Sequence, residues 1–208
     1  MTNHFGRACL LLLCLSVIGQ TEAQDAGLYG KVMDPMASFV RVVSLEAPAS
    51  VIGGTSVNSQ QGISPYVNVE PGEVEISAGT RSSRVDVEPG SFYTLAVTAS
   101  GARVFKDDVK NDPAKAQVYL YNLSDLDGVD LFVPAAKVAA VEAVPSGSSK
   151  DVALRAPLSL AFEIRKDGRA LAPPFTIDLK RRSGYTVILS GTAGKYGPVV
   201  VENNLLQP

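Results

Sequence analysis

The stretch "YVNVEPGEVEI", from Tyr66 to Ile76, is followed closely by "RVDVEPGSFYTL", from Arg84 to Leu95, so Val-x-Val-Glu-Pro-Gly occurs twice within a short span. In both copies, apolar and polar residues alternate on either side of Pro-Gly, which is the period of a half-buried β-strand. Proline fixes φ at about −65° at the second position of a turn, and glycine accepts the positive φ that a type II turn requires next. Each copy therefore predicts a strand, a tight corner and a second strand. The glutamates before each Pro-Gly pair, Glu70 and Glu88, are expected to be solvated turn residues and not a catalytic pair.

The pattern of the two corners extends through most of the chain. "SFVRVVSLEA", which begins at Ser38, is rich in β-branched residues, and turn residues separate it from the later alternating stretches. Short strands at intervals of about eight to twelve residues are typical of a β-sandwich. The segment Val133 to Val144 has the alanine content of a helix, but its valines favour a strand, and we interpret it as one. The predicted fold class is all-β.

The two halves of the chain resemble each other. "FVRVVSL" at 39–45 is similar to "QVYLYNLS" at 117–124, and "EVEISAGTRSS" at 73–83 is similar to "AFEIRKDGRAL" at 161–171. A charged segment that contains a proline, 102–116, separates them. We therefore predict two small β-sandwich domains in tandem, at 38–101 and 117–208, joined by the linker 102–116.

The best-matched pair of segments is 85–101 with 175–191. Both contain a strand, a turn, an aromatic-Thr step and an apolar strand that ends in Ser-Gly. This alignment equates Tyr93 with Tyr185 and Gly90 with Gly184. The second Glu-Pro-Gly is thus interpreted as the recurring turn before the last strand of each half.

The N-terminus has the features of a secretory signal peptide. Arg7 precedes the apolar run from Ala8 to Ile18, and Ala23 provides a small residue at the cleavage point. The run is shorter than the roughly 20 apolar residues that a membrane span requires. We predict a signal peptide at 1–23, an irregular N-terminal arm at 24–37 and an exported protein.

The composition after residue 23 excludes several classes of chemistry. His4, Cys9 and Cys14 are the chain's only histidine and cysteines, and all lie in the predicted signal peptide. Neither a Ser-His-Asp triad nor a typical zinc site can be built without these residue types. A glycosidase that uses two carboxylates remains chemically possible, but we predict that the protein is not an enzyme and uses no cofactor or metal. The net charge of −2 does not favour nucleic acid as a partner.

Four short motifs, in order, carry a resemblance to a known family. They are "DAGLYG" at Asp25–Gly30, "SFVRV" at Ser38–Val42, "FYTL" at Phe92–Leu95 and "LYNLS" at Leu120–Ser124. With the signal peptide and the two-part β layout, they resemble the AlgF family of periplasmic alginate O-acetylation proteins.

The resemblance implies a function in the periplasm. It implies an accessory protein, required for O-acetylation of alginate or another exopolysaccharide, that works with periplasmic O-acetyltransferases and a membrane-bound O-acyltransferase. It carries over no catalytic residue. Two hypotheses follow: an adaptor that links the acetylation proteins, or a polysaccharide-binding module that holds the polymer.

Three groups of residues are candidate contacts for a partner or the polymer. Tyr119 and Tyr121 share one face of a predicted strand, which either forms an outward platform or stabilises the sheet. Lys180, Arg181 and Arg182 form the densest basic cluster, which is either a solvated turn or a contact for carboxylates. The arm is unusually apolar for an irregular segment and packs either on its own domain or on another protein. Its candidate contacts are Leu28, Tyr29, Met33 and Met36.

Overall fold

The computed structural model describes residues 36–206. Over this range the secondary structure is entirely strands, turns and irregular connections, without a helix. The all-β prediction is confirmed, including a strand within the alanine-rich stretch that we had weighed as a helix. The predicted signal peptide and nearly all of the predicted arm lie outside the described residues.

The N-terminal half is a sandwich of two four-stranded sheets. Its strands are β1 (Ser38–Ser44), β2 (Ala49–Ile52), β3 (Thr55–Asn58), β4 (Val67–Val69), β5 (Gly72–Ala78), β6 (Arg81–Val87), β7 (Phe92–Thr98) and β8 (Gly101–Asp107). One sheet has the order β4-β1-β7-β8, and the other has the order β3-β2-β5-β6. Strand β1 is parallel to β7, whereas its other neighbour, β4, is antiparallel.

The C-terminal half repeats this arrangement. Its strands are β9 (Lys115–Asn122), β10 (Val129–Val133), β11 (Val138–Val144), β12 (Ser148–Arg155), β13 (Leu158–Lys166), β14 (Arg169–Ala170), β15 (Phe175–Leu179), β16 (Gly184–Thr192) and β17 (Lys195–Glu202). One sheet has the order β12-β9-β16-β17, with β9 parallel to β16. The other contains β11, β10 and β13, with both β14 and β15 paired to β13.

The two Glu-Pro-Gly stretches are corners between the sheets of the N-terminal sandwich. The first connects β4 to β5, and the second connects β6 to β7; each pair of strands lies in different sheets. Gly72 and Gly90 both have positive φ, 115° and 67°, as the turn chemistry requires. The motif therefore occurs twice because the chain passes between the two sheets at a Pro-Gly corner twice.

The strand registers define which residues are equivalent in the two halves. Val40 lies beside Tyr93 in the first parallel pair, and Val118 lies beside Tyr185 in the second. The predicted equivalence of the two tyrosines is therefore correct, but that of Gly90 with Gly184 is not. In both turns the residue with positive φ lies three residues before the tyrosine. In the second turn this residue is Arg182, with φ of 61°.

Each half has its own hydrophobic core between its two sheets. The larger cluster lies in the C-terminal half and includes Leu131, Phe162, Ile164 and Leu189. The cluster of the N-terminal half includes Ile52, Ile76, Val85 and Leu95. These inward residues follow the period of two that the sequence shows.

A third apolar cluster joins the halves. It consists of Val43, Ile63, Ala96, Phe105, Tyr119, Tyr121, Ile188 and Val201. These residues come from the β4-β1-β7-β8 and β12-β9-β16-β17 sheets and from the loop before β4. As a result, β1 is buried along its whole length and β9 along all but its first residue.

The irregular connection between the two halves is shorter than the predicted linker 102–116. Residues 102–107 lie in β8, and 115–116 begin β9, so only 108–114 lie outside strands. Strand β8 completes the β4-β1-β7-β8 sheet, and its Phe105 and Asp107 are buried despite the charged residues around them.

Candidate functional site

The most elaborate polar cluster of the described residues lies where the halves meet, and Arg41 on β1 is its centre. The Arg41 side chain is almost fully buried. Its Nε donates to Thr94 Oγ1 at 2.8 Å and its Nη2 to the Tyr121 hydroxyl at 2.9 Å. Its Nη1 donates to Asn203 Oδ1 at 2.8 Å. One guanidinium thus binds both halves.

Asp107, the last residue of β8, is the acceptor of the same cluster. Tyr66 donates its hydroxyl to Asp107 Oδ2 at 2.8 Å, and Thr94 donates to the same oxygen at 2.5 Å. The Tyr121 hydroxyl donates to Oδ1. The Arg41 guanidinium also lies over the Tyr66 ring, with Cζ 4.4 Å from the centroid. Arg41 and Asp107 are therefore linked through hydroxyl groups.

Burial and neighbouring groups shift the pKa values of Arg41, Tyr66 and Tyr121. Burial opposes the charged form of Arg41, but Tyr121, Tyr66 and Asp107 outweigh it, so the pKa of Arg41 is raised. Burial also raises the pKa of the Tyr66 and Tyr121 hydroxyls well above the ordinary value near 10, and the Arg41 charge only partly offsets it. The two tyrosine hydroxyls therefore stay protonated at neutral pH and remain hydrogen-bond donors to Asp107.

A cleft of about 240 Å³ opens beside this cluster. Its walls come from the loop before β4, from Arg41 and from the end of β17. The lining is rich in side-chain amides, from Asn58, Gln60, Asn203 and Asn204, together with Ser64 and Glu202. Amides and a hydroxyl can hydrogen-bond the hydroxyl groups of a sugar.

The structure does not place Tyr119 and Tyr121 on an outward platform. Both are buried between the halves, with exposed fractions of 3% and 0%. The N-terminal half covers the face of β9 that carries these two tyrosines. Tyr121 belongs to the Arg41 cluster, and the Tyr119 hydroxyl donates to the Asp108 carbonyl at 3.3 Å. Their role is to join the halves.

The predicted basic cluster is exposed, in the turn between β15 and β16. Lys180 Nζ lies 2.7 Å from Glu202 Oε2. Arg181 Nε donates to the Ala156 carbonyl at 2.9 Å, and the Arg182 amide donates to the Lys115 carbonyl at 2.9 Å. The turn is thus fixed to the ends of β9 and β12, which bring Lys115 and Arg155 beside it.

The equivalent turn of the N-terminal half carries the reverse ion pair. Glu88 occupies the position of Lys180, five residues before the tyrosine, and binds Lys106 at 2.6 Å. In both halves the amide of this turn residue donates to the tyrosine hydroxyl, at 3.4 Å in the first and 3.0 Å in the second. The hydroxyl-capped corner is common to both halves, whereas the charges are not.

Of the predicted arm contacts, Leu28, Tyr29 and Met33 lie outside the described residues. Met36 is described; its side chain is 60% exposed, and its carbonyl accepts a hydrogen bond from the Gly90 amide at 3.1 Å. The base of the arm is therefore attached to the second Glu-Pro-Gly corner.

Within residues 36–206, no group of three or more acidic side chains is arranged to hold a metal ion. The same residues contain no helix of the length and hydropathy that could cross a membrane.

Fold and site together define a duplicated β-sandwich protein whose principal buried polar cluster joins its two halves. The sequence model of the family described as "Alginate O-acetyl transferase AlgF" matches residues 11–182. The chain belongs to this AlgF family, as its motifs indicated.

The chain is also similar to individual curated and solved proteins. The chain is 26% identical over 201 residues to the "Alginate biosynthesis protein AlgF" of Pseudomonas aeruginosa PAO1, covering 94% of this chain and 91% of the relative. A solved structure of the C-terminal domain of AlgF from P. aeruginosa is 23% identical and covers 43% of this chain and 99% of that domain, with a TM-score of 0.39. A carbohydrate-binding module of family CBM26 from Eubacterium rectale, in complex with maltoheptaose, covers 79% of this chain and 96% of that module, with 6% identity and a TM-score of 0.31. Both TM-scores are below 0.5, so neither structural likeness bears on the function of this chain.

Proposed function

We propose that this protein is a non-catalytic periplasmic accessory protein in the O-acetylation of alginate, acting as an adaptor between acetylation proteins. The observation that carries the proposal is the family match over most of a chain that has no histidine and no cysteine after residue 23. The family connects the chain with acetylation, and the residue content separates it from the chemistry of acyl transfer.

The lack of histidine and cysteine after residue 23 is central to the non-catalytic proposal. Acyl transfer requires a nucleophile that is activated by an adjacent base or by a lowered pKa. The buried tyrosines of the Arg41 cluster have raised pKa values, the opposite of activation. These two hydroxyls are therefore not activated nucleophiles.

The proposed location and partners follow from the family and the sequence. The predicted signal peptide at 1–23 would deliver the protein to the periplasm. The proposed partners are the periplasmic O-acetyltransferases and the membrane-bound O-acyltransferase of the machinery, with no cofactor. The apolar arm, which includes Leu28, Tyr29, Met33 and Met36, is one proposed contact.

Two measurements test the proposal together. Deletion of the gene in an alginate-producing strain is expected to remove acetyl groups from the polymer while the polymer yield stays within twofold. Purified protein comprising residues 24–208 is expected to release no acetyl group from a chromogenic ester, with an active periplasmic acetyltransferase as positive control. Acetyl release by the pure protein would contradict the non-catalytic role, and unchanged acetylation after deletion would contradict the function itself.

The amide-rich cleft favours one alternative, a module that holds the polymer. Calorimetric titration of the protein with alginate oligosaccharides tests it. Micromolar binding that is lost on Asn58→Ala together with Gln60→Ala would favour the module. An adaptor is expected to show no measurable heat in the same titration.

A further inference from the structure

Basic side chains from three separate segments meet at one end of the C-terminal half. Lys115 and Arg155 are directly opposite each other in the β9/β12 ladder, so their side chains project to the same face. Hydrogen bonds to the Lys115 and Ala156 carbonyls hold Arg182 and Arg181 against these strand ends. We name these four residues, Lys115, Arg155, Arg181 and Arg182, the basic end.

The charge of the basic end is largely uncompensated by the rest of the chain. Lys115 Nζ lies 3.1 Å from Asp112. In the part of the chain that the structure describes, no carboxylate forms an ion pair with Arg155, Arg181 or Arg182, and all three are exposed. Arg181 is held by its Nε hydrogen bond to the Ala156 carbonyl, but its charge and those of Arg155 and Arg182 have no ionic partner among the described residues.

The duplication shows that the fold does not require a basic turn here. The equivalent turn of the N-terminal half is Glu88-Pro89-Gly90, which contains no cation. That turn connects the corresponding two sheets of its own half and forms the same kind of tyrosine-capped corner. The arginines are therefore particular to one half, which points to a role outside the chain.

An exposed leucine lies at the same end. Leu158 is 47% exposed at the start of β13, opposite Leu179 and two residues after Ala156, to which Arg181 is bound. Arginine is enriched at protein–protein interfaces, which combine an apolar centre with a polar rim.

A sugar polymer fits this end less well. A pyranose face packs on an exposed aromatic ring, and Tyr185, which the turn contacts through its hydroxyl, is buried. We propose that the basic end docks an acidic surface of a partner protein in the acetylation machinery, with Leu158 making the apolar contact. This inference rests on the adaptor function proposed above.

Site-specific cross-linking tests the inference. A photoreactive phenylalanine analogue replaces Leu158 in the full chain, expressed in an alginate-producing strain that lacks the natural gene. After irradiation, mass spectrometry identifies the linked peptide. We expect a peptide of one acetylation protein in which Asp and Glu outnumber Lys and Arg.

Charge variants supply the matched control. Arg155→Gln with Arg181→Gln is expected to lower the cross-link yield at least tenfold. Arg169→Gln with Lys195→Gln removes the same net charge, but from exposed residues that begin β14 and β17, at the opposite end of the half. That control is expected to leave the yield within twofold of the parent.

Three results would overturn the inference. They are a neutral or basic linked peptide, an undiminished yield in the Arg155/Arg181 variant, and no cross-link from position 158 in cells whose acetylation depends on the protein. Retention of the purified protein on immobilised alginate that is lost with Arg155 and Arg181 would assign the basic end to the polymer instead. Since acetylation is measured in the same cells, failure of the docking surface is distinguishable from failure of the proposed function.

Discussion

Arg41 shows how one residue can join two sandwiches. Its guanidinium donates to Thr94 in its own half and to Tyr121 and Asn203 in the other. Transferring a charge from water to the protein interior costs free energy. At Arg41, hydrogen bonds and the Tyr66 ring compensate for this cost. Without Arg41, the Thr94, Tyr121 and Asn203 oxygens lose their donor, and Asp107 loses the nearby positive charge.

We therefore predict that Arg41→Met lowers the free energy of unfolding by about 3–5 kcal/mol, the usual cost of removing one partner from a buried charged group. Urea denaturation followed by circular dichroism measures it. The control is Arg84→Met, because Arg84 forms an exposed ion pair with Glu73 at 3.2 Å and such pairs contribute about 1 kcal/mol or less.

Asp107→Asn is the second single substitution of a double-mutant cycle with Arg41→Met. If the cluster acts as a unit, Arg41→Met combined with Asp107→Asn should cost less than the sum of the single changes. A loss of less than about 1 kcal/mol for Arg41→Met alone would show that the cluster does not stabilise the joint between the halves.

At the scale of elements, the β16/β17 hairpin depends on one glycine. Gly191 has φ of 121°, a conformation that residues with a side chain rarely adopt. A Cβ at this position would overlap the backbone carbonyl of Lys195, which cannot move away as a flexible side chain could. Gly197, in the same hairpin, has open space around its missing Cβ.

Gly191→Ala is expected to lower the free energy of unfolding by roughly 2–5 kcal/mol through backbone strain and steric overlap. Gly197→Ala is expected to change it by about 1 kcal/mol or less in either direction. Unfolding midpoints in urea, at an unchanged m-value, compare the two variants. Equal effects would mean that the hairpin does not rely on the special conformation of Gly191.

The elements themselves were largely predictable from the sequence. Alternating valines and Pro-Gly corners are local signals, so the strands around the two Glu-Pro-Gly motifs were found correctly. The site was not. In "SFVRVVS", the single arginine between apolar residues looks like a solvent-facing residue, yet β1 is buried on both faces.

Long-range contacts account for what was missed. Tyr119 and Tyr121 could not be assigned to an interior, because the surface that covers them lies in the other half of the chain. Likewise, Lys115 and Arg155 join Arg181 only through strand pairing. The one local signal for Arg41 was the nearly continuous apolar run around it, which is typical of a strand covered on both sides.

At the scale of the whole molecule, the halves are connected in two ways. Residues 108–114 join them covalently, and nearly all of these residues are exposed. The apolar cluster around Tyr121 and Ile188 joins them without any need for chain continuity. Cleaving the segment should therefore leave the contact intact.

We predict that limited trypsin digestion cuts first after Lys110, and that the two fragments then elute together in size-exclusion chromatography. Denaturing gels of the eluted peak should show both fragments. Arg41→Met is expected to release them from each other, since it removes the shared guanidinium. Fragments of the parent protein that separate under native conditions, or an uncut segment, would contradict the prediction.

The parallel pairing within each half affects how the chain folds. Strand β1 aligns with β7 and β9 aligns with β16, so the central pair of each principal sheet forms only after most of that half is available. Closing such long loops costs conformational entropy before any contact offsets it, and folds dominated by distant pairings take milliseconds to seconds. A polypeptide that enters a compartment with its N-terminus first cannot complete this pair until β7 has followed β1. The topology thus delays completion of each principal sheet until its late-synthesised partner strand, β7 in the first half and β16 in the second, is available.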